Sequence, residues 1–380
     1  MTNLPDRRPI LSYYGDDFTG STDAMDVLAA YGVRSVLFLR TPDAADLEAY
    51  TDCRAIGIAG DSRSRPPAWM RAELPVIFAR LREIGAPVVQ YKVCSTFDSS
   101  PETGSIGCAL EIGREAFGVP YVPIVPAAPR LQRYVIFGNL FAEGGGAVHR
   151  IDRHPAMSRH PVTPMPEGDL MIHLGRQTAH KLALANILEL RAETFTPDAS
   201  ADAVLFDGLE PADLAQAAQW IWEHRREPQA FVVGSSGFTG GILEYWRSRG
   251  WIEGAPLHRS ARPADRLLVL AGSCSPATEG QIRRALRDGF HGIRLDALTT
   301  GNGSCDESVR NEALAELAAG RSVILYSALG PSDQAPVADR IGLATAMGRL
   351  LDRVVEASGV GAAGAEADGP TSPIEVLRRE

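Results

Sequence analysis

The chain has 380 residues, 45% apolar and 22% charged, with a formal net charge of −9. That length can bury the cores of two ordinary domains. The acidic balance argues against a nucleic-acid partner. No apolar run approaches the ~20 residues needed to span a bilayer, and Met1–Pro9 lacks a signal-peptide core, so no membrane partner is expected. Five scattered cysteines (Cys53, Cys94, Cys108, Cys274, Cys305) show no C-x-x-C pair and no zinc-type spacing with histidine. They read as reduced thiols of a cytoplasmic protein. Only two lysines occur, Lys92 and Lys181, so lysine-dependent chemistry has two candidates.

The first apolar run, from Ile10, ends in Asp16-Asp17 before Phe18-Thr19-Gly20. It predicts a strand, an acidic turn and then a helix capped by Ser21 or Thr22, with Met25, Leu28 and Ala29 on one face and Gly32 closing it. Short apolar segments at Ser35–Leu39, Ala55–Ala59, Pro87–Tyr91 and Tyr121–Val125 predict further strands. Helical patterns at Ala68–Ile84 and Gly104–Phe117 separate them. Alternation of this kind predicts βαβ units and a parallel sheet covered on both faces. Each strand runs into a polar loop: Asp16 and Asp17, Ser62 and Arg63, then Lys92 with Ser95 and Thr96. In a parallel sheet such loops share the carboxyl edge, where ligands bind.

Residues 126–168 show little periodicity, carry Gly144-Gly145-Gly146 and crowd His149, Arg150, Arg153, His154, Arg159 and His160. A stretch of this length without a pattern predicts a functional or covering segment. Regular structure resumes at Leu170–Leu174, with strands expected at Val204–Phe206 and Phe231–Val233. Residues 252–265 read as a boundary, dividing the chain into domains 1–255 and 256–380. A second α/β series follows. Leu267–Leu270 predicts a strand ending in Gly272-Ser273-Cys274-Ser275-Pro276, with Ser275 as N-cap and Pro276 at N1 of a helix. Strands at Gly292–Asp296 and Ser322–Tyr326, helices at Glu307–Ala319 and Val337–Glu356, and a turn at Gly330–Asp333 complete it. The tail Gly359–Glu380 shows no strand pattern. The fold class expected is α/β, two domains, each a mostly parallel sheet flanked by helices.

Several motifs carry chemistry, each beside a plainer reading. One carboxylate of Asp16-Asp17 can accept a proton from a substrate hydroxyl while the other orients it or holds Mg²⁺ through water. The plainer reading is a helix cap and Asx turn. Arg63 can grip a carboxylate bidentately, or be a solvated loop residue. Lys92 at a strand end suits an anion, or snorkels at the sheet edge. The Gly272–Pro276 turn offers backbone N–H groups and a helix N-terminus to phosphate, or is a bare N-cap. Gly234–Gly237 is a weaker turn of the same kind. There is no G-x-x-x-x-G-K-[ST], no G-x-G-x-x-G after a strand, no G-x-S-x-G, and no Asp-x-Asp at Asp16 of the kind a haloacid-dehalogenase-type phosphatase uses.

Taken together, Gly15–Asp23, Asp61-Ser62-Arg63, the Lys92…Ser95-Thr96 turn, His160–Met165 and Gly272–Pro276 resemble, in order, the motifs of the four-carbon acid sugar kinase family. The resemblance spans residues 10–358. It implies an ATP-dependent kinase for a small four- or five-carbon sugar acid, with the acid on the N-terminal domain, the nucleotide on the C-terminal domain, and ATP with Mg²⁺ as cofactors. It implies Asp16 and Asp17 at the reacting hydroxyl. Arg63, Lys92, Ser95 and Thr96 would hold the acid, and Gly272, Ser273, Cys274, Ser275 and Gly330 the nucleotide. The turn after Lys92 departs from the family's usual Lys-x-Asp-Ser-Thr-Leu-Arg-Gly: Cys94 and Asp98 stand where an Asp and an Arg are usual. That resembles the branch acting on a branched 3-oxo acid, 3-oxo-isoapionate. Its rival is a binding protein of the same fold that has lost turnover, motivated by a tail without the family's closing strand and loop. A homodimer is left open as the assembly.

Overall fold

The computed structural model describes residues 4, 9–160, 163–225, 228–257, 265–295, 303–333, 340–358 and 374–377. The chain separates into two compact units, Met1–Arg259 with Ser372–Glu380, and Ser260–Thr371.

In the first unit the strands, in chain order, are β1 Leu11–Gly15, β2 Ser35–Phe38, β3 Ala55–Ala59, β4 Val88–Lys92 and β5 Val122–Val125. Next come β6 Arg133–Ile136, β7 Asn139–Gly144, β8 Ala147–Arg150, β9 Leu182–Ala185, β10 Ala203–Phe206 and β11 Ala230–Gly234. Eight of these form one sheet in the order β2-β3-β1-β4-β11-β5-β10-β9, every pair parallel. β1 to β5, β10 and β11 are buried along their length, as strands covered by helices on both faces must be. Trp246, Tyr13, Tyr91, Phe78, Phe231 and Phe238 are among the largest side chains sealed in this core.

The chain leaves β1 toward β2 and β3 on one side, then returns to place β4 on the other, with Gly15 level with both Ala59 and Lys92. The order therefore reverses at β1/β4, and the crevice beyond the carboxyl ends at such a point is where an open α/β sheet binds ligands.

Two local expectations change. The helix after β1 is Phe18–Ala30, and its N-cap is Asp17 rather than Ser21 or Thr22, because the Asp17 carboxylate accepts from Gly20 N at 2.5 Å. Phe18-Thr19-Gly20 is thus the first helical turn. The patternless stretch 126–168 contains the antiparallel sheet β6-β7-β8, whose second turn is Gly145-Gly146, both at positive φ. These three strands mix polar and apolar residues and lack the unbroken apolar run that marks the buried strands.

The second unit holds β12 Leu268–Ala271, β13 His291–Arg294 and β14 Val323–Tyr326, parallel in the order β12-β14-β13. Helix Arg340–Ser358 lays Met347, Leu350 and Val354 on Ile293, Val323 and Leu325, a stripe at helical spacing against a sheet face. The expected start of that helix at Val337 and the strand end at Asp296 lie outside the described residues. So does most of the tail, except for β15, Ile374–Leu377. That strand corrects the expectation of a strandless tail within the second domain: it pairs in parallel with β2 of the first unit, Ile374 level with Ser35 and Leu377 with Phe38. An open edge at β2 accepts a ninth strand's hydrogen bonds whatever the periodicity of so short a segment.

Candidate active site

Three loops meet at the β1/β4 edge. Asp16 leaves β1 with its N–H on Lys92 O at 2.9 Å, and its own carbonyl accepts from Arg63 N at 3.0 Å, so backbone bonds tie all three together. Gly20 allows the close approach: a Cβ there would stand 2.4 Å from Asp17 Oδ1 and 2.9 Å from Lys92 Nζ.

The two adjacent carboxylates differ in kind. Asp16 is 4% exposed, and its Oδ1 has no hydrogen-bond partner among the described residues. Burial first, and the Asp17 charge second, push its carboxyl up to about 7, against the pull of Arg63 and Lys92. Asp17 is engaged: besides capping its helix, its Oδ2 accepts from Arg63 Nη1 at 2.5 Å.

Arg63 is engaged as well. Its Nη2 lies 2.6 and 2.7 Å from the two oxygens of Asp98, and its Nε lies 3.2 Å from Asp98 Oδ2. A guanidinium has five N–H groups, so one remains. The bidentate grip on a substrate carboxylate expected of Arg63 is already taken by Asp98. Asp98 also receives hydrogen bonds from Thr96 Oγ1, at 2.5 Å, and from Thr163 Oγ1. Burial opposes charge on Asp98, but Arg63 and the bonds from Thr163 and Thr96 outweigh it and hold the carboxyl below its ordinary range.

Lys92 is the less committed cation. It is 1% exposed, its Nζ donates to Val93 O at 3.0 Å, and the nearest ion pair, to Asp23, is long at 3.9 Å. Asp23 is itself held by Arg130 at 2.6 Å. Two of the three ammonium N–H groups are therefore available to an anion at the crevice. Ser95 and Thr96 are buried on the loop after β4, Thr96 facing Asp98 and Cys94 Sγ. Burial pushes the Cys94 thiol up, which keeps it from acting as a nucleophile. Among the basic residues expected to crowd 126–168, His160 comes within 3.9 Å of Asp98, while Arg150 pairs with Asp152 and His154 takes Glu143 O.

Asp98, Thr163, Asp23 and Arg130 were not among the expected site residues. The signals were present: Asp98 is the acid gained in the Lys92 turn, Thr163 lies in the His160–Met165 motif, and Asp23 ends the first motif.

In the second unit, Gly272–Ser275 joins β12 to helix Pro276–Arg287. Gly272 and Ser273 are exposed. Ser275 caps the helix through Thr278 N at 3.1 Å, and Ser275 N donates to Ser273 Oγ at 3.2 Å. Gly330, after β14, has φ +97°, and a Cβ there would lie 2.1 Å from Glu279 Oε2 on that same helix. The parallel strands bring Gly272–Ser275 and Gly330 to one edge, an exposed turn at the start of a twelve-residue helix that suits a phosphate chain.

The described residues hold no group of three or more His, Cys, Asp or Glu placed to bind a metal, and no helix among them is long and apolar enough to cross a membrane.

Comparison with known proteins followed the same division. The family described as "Sugar-binding N-terminal domain" matches residues 11–242, and the one described as "Nucleotide-binding C-terminal domain" matches 268–367. The chain is 44% identical to a Paraburkholderia graminis protein named 3-oxo-isoapionate kinase, covering 96% of this chain and 83% of that one. It is 31% identical to a 3-oxo-tetronate kinase of Pseudomonas savastanoi pv. phaseolicola, over 90% and 78% of the two chains. A crystal structure of a Salmonella typhimurium LT2 protein shares the fold at TM-score 0.68 with 22% identity, over 92% and 82%.

Proposed function

Because the chain belongs to the four-carbon acid sugar kinase family, we propose that it is an ATP-dependent kinase phosphorylating a hydroxyl of a small sugar acid, with a branched 3-oxo acid of the 3-oxo-isoapionate type as its substrate. The 44% identity supports that choice over the 3-oxo-tetronate type at 31%. The observation that carries the chemistry is the buried Asp16 carboxyl, its Oδ1 without a hydrogen-bond partner among the described residues, at the sheet's reversal point where Lys92 is buried too.

In this reading the Asp16 carboxylate takes the proton of the acid's hydroxyl as that oxygen attacks the γ-phosphorus of ATP. The bond from γ-phosphorus to its bridging oxygen breaks, and ADP leaves with that electron pair. A carboxyl poised near 7 is both ionised and basic enough at neutral pH. Lys92 holds the acid's carboxylate or the incoming phosphoryl oxygens, while Asp17 fixes the helix and Arg63 beside Asp16. Ser95 and Thr96 shape the loop carrying Lys92. Gly272, Ser273, Cys274, Ser275 and Gly330 form the turn for the nucleotide's phosphates. Mg²⁺, held chiefly by those phosphates, would supply charge neutralisation. Domain boundaries at 1–255 and 256–380, apart from the strand Ile374–Leu377 that pairs with β2, a homodimer and a cytoplasmic location belong to the same reading. The free thiols of Cys94, Cys108 and Cys274 support the last.

The test is an ADP-release assay with ATP and Mg²⁺ over a panel of four- and five-carbon acids. The branched 3-oxo acid should give the highest kcat/KM. Silence across the panel, with acid binding retained in calorimetry, would overturn the kinase in favour of a binding protein.

A further inference from the structure

The Asp98 side chain is fully buried, yet through Arg63 it is linked to Asp17, the neighbour of Asp16. Its oxygens accept from donors on three separate segments: Arg63 after β3, Thr96 after β4, and Thr163. The backbone that presents it is strained and clamped. Phe97, sealed in the core, sits at φ +56°, a region that a bulky residue occupies only when its surroundings enforce it. On the other side, Ser99 Oγ lies 2.9 Å from both His173 Nε2 and Gln177 Nε2, anchoring the turn to helix Leu170–Gly175 and the residues after it. His173 is held neutral by burial, which lowers it to about 4, so the clamp carries no charge of its own.

We propose that Asp98 is a positioning residue for phosphoryl transfer: it captures the Nε/Nη2 edge of Arg63, so that Nη1 alone reaches the β1 loop and holds Asp17, leaving Asp16 free for the substrate hydroxyl. The inference rests on the kinase reading above. Its physical basis is donor counting. An Arg63 released from Asp98 would turn its full fork on the nearest carboxylates, and those are Asp17 and Asp16. The same capture withholds Arg63 from the substrate's carboxylate and leaves that anion to Lys92. Asp98 thus acts as a built-in occupant of the guanidinium.

The experiment is steady-state kinetics of wild type, Asp98→Asn, Arg63→Gln and the double variant, with thermal melts of each. The expected result is a loss in kcat of tenfold or more for Asp98→Asn with KM for the acid changed less than threefold. The double variant should be no slower than Arg63→Gln, because both substitutions break one chain. A rise in KM of tenfold or more at unchanged kcat would mean that Asp98 meets the substrate, and would overturn the proposal. So would wild-type kinetics, or losses that multiply in the double variant. If Asp98→Asn does not fold, Thr163→Val removes one of the bonds on Asp98 while keeping the Arg63 pair. A two- to fivefold loss in kcat at constant KM is then expected, and an unchanged kcat would overturn the proposal. Wild-type turnover in the same assay separates the two failures: an inactive wild type removes the kinase reading and this role with it, whereas an active wild type matched by Asp98→Asn removes this role alone.

Discussion

The edge of the first unit and the turn of the second are built from opposite materials. Around Asp16 the determinants are charged side chains: Asp98 and Lys92, buried, and Asp17, Arg63 and Asp23, half-buried, cross-paired at 2.5 to 3.9 Å. Around Gly272 they are backbone groups, a capping serine and exposed small residues. The difference follows from what each would hold. A small acid offers few atoms, so recognition and proton transfer need pre-oriented charges in low dielectric. A phosphate chain spreads its charge over many oxygens, which N–H groups and a helix N-terminus satisfy without a dedicated side chain. Substitutions should therefore cost turnover or affinity for the acid on the first unit and nucleotide affinity on the second.

The largest expected effect is at Asp16. Asp16→Asn keeps size and removes the proposed base, and should lower kcat by about 10²–10⁴, the usual range for a general base, with an unchanged melt. An ADP-release assay reads it, and activity within threefold of wild type would move the base elsewhere.

Next comes pH. With the Asp16 carboxyl at about 7, the base is the ionised form, so kcat should rise as pH increases and level off above 7. Below that point the fall is about tenfold per unit, and a flat profile from pH 5 to 8 would detach Asp16 from the rate.

Lys92→Met should raise KM for the acid by roughly 10–100-fold, the worth of a lost charge-assisted bond, and leave KM for ATP in place. An equal rise in both would blur the division between the units.

On the second unit, Gly272→Ala adds a methyl 3.7 Å from Met347 Cε, an ordinary contact, so the fold should stand. KM for ATP should rise by less than about tenfold, because only the approach of phosphate to backbone is disturbed. An effect on the acid's KM instead would break the comparison.

Ser275→Ala is the mildest. It removes the cap on Thr278 N and should cost about 1 kcal/mol, read as a lower melting temperature of the second unit with kcat preserved.

Much of this was legible along the chain. Unbroken apolar runs such as Ala55–Ala59 and Val122–Val125 announce strands buried on both faces, and the helical stripes between them force parallel crossovers. That logic alone sends Asp16, Arg63 and Lys92 to one edge. The cap of the first helix was misplaced because Asp17 and Ser21 are equally good caps by residue type, and only the position of Gly20 N selects between them. The hairpins of 133–150 and the strand at Ile374–Leu377 are not legible along the chain because pairing with another strand, rather than local period, defines them.

Residue type and order were therefore enough for the two parallel sheets, the family and the candidate loops, since burial on both faces imposes composition locally. The division of labour between two neighbouring aspartates was decided only in three dimensions. Asp16 and Asp17 are the same residue in the same turn, but Arg63 lies 46 positions further along the chain and reaches Asp17. Asp98, another 35 positions on, holds that guanidinium in place. Burial first, and the neighbouring Asp17 charge second, raise Asp16, whose Oδ1 has no partner among the described residues, and that burial is a property of the packed site rather than of any stretch of sequence.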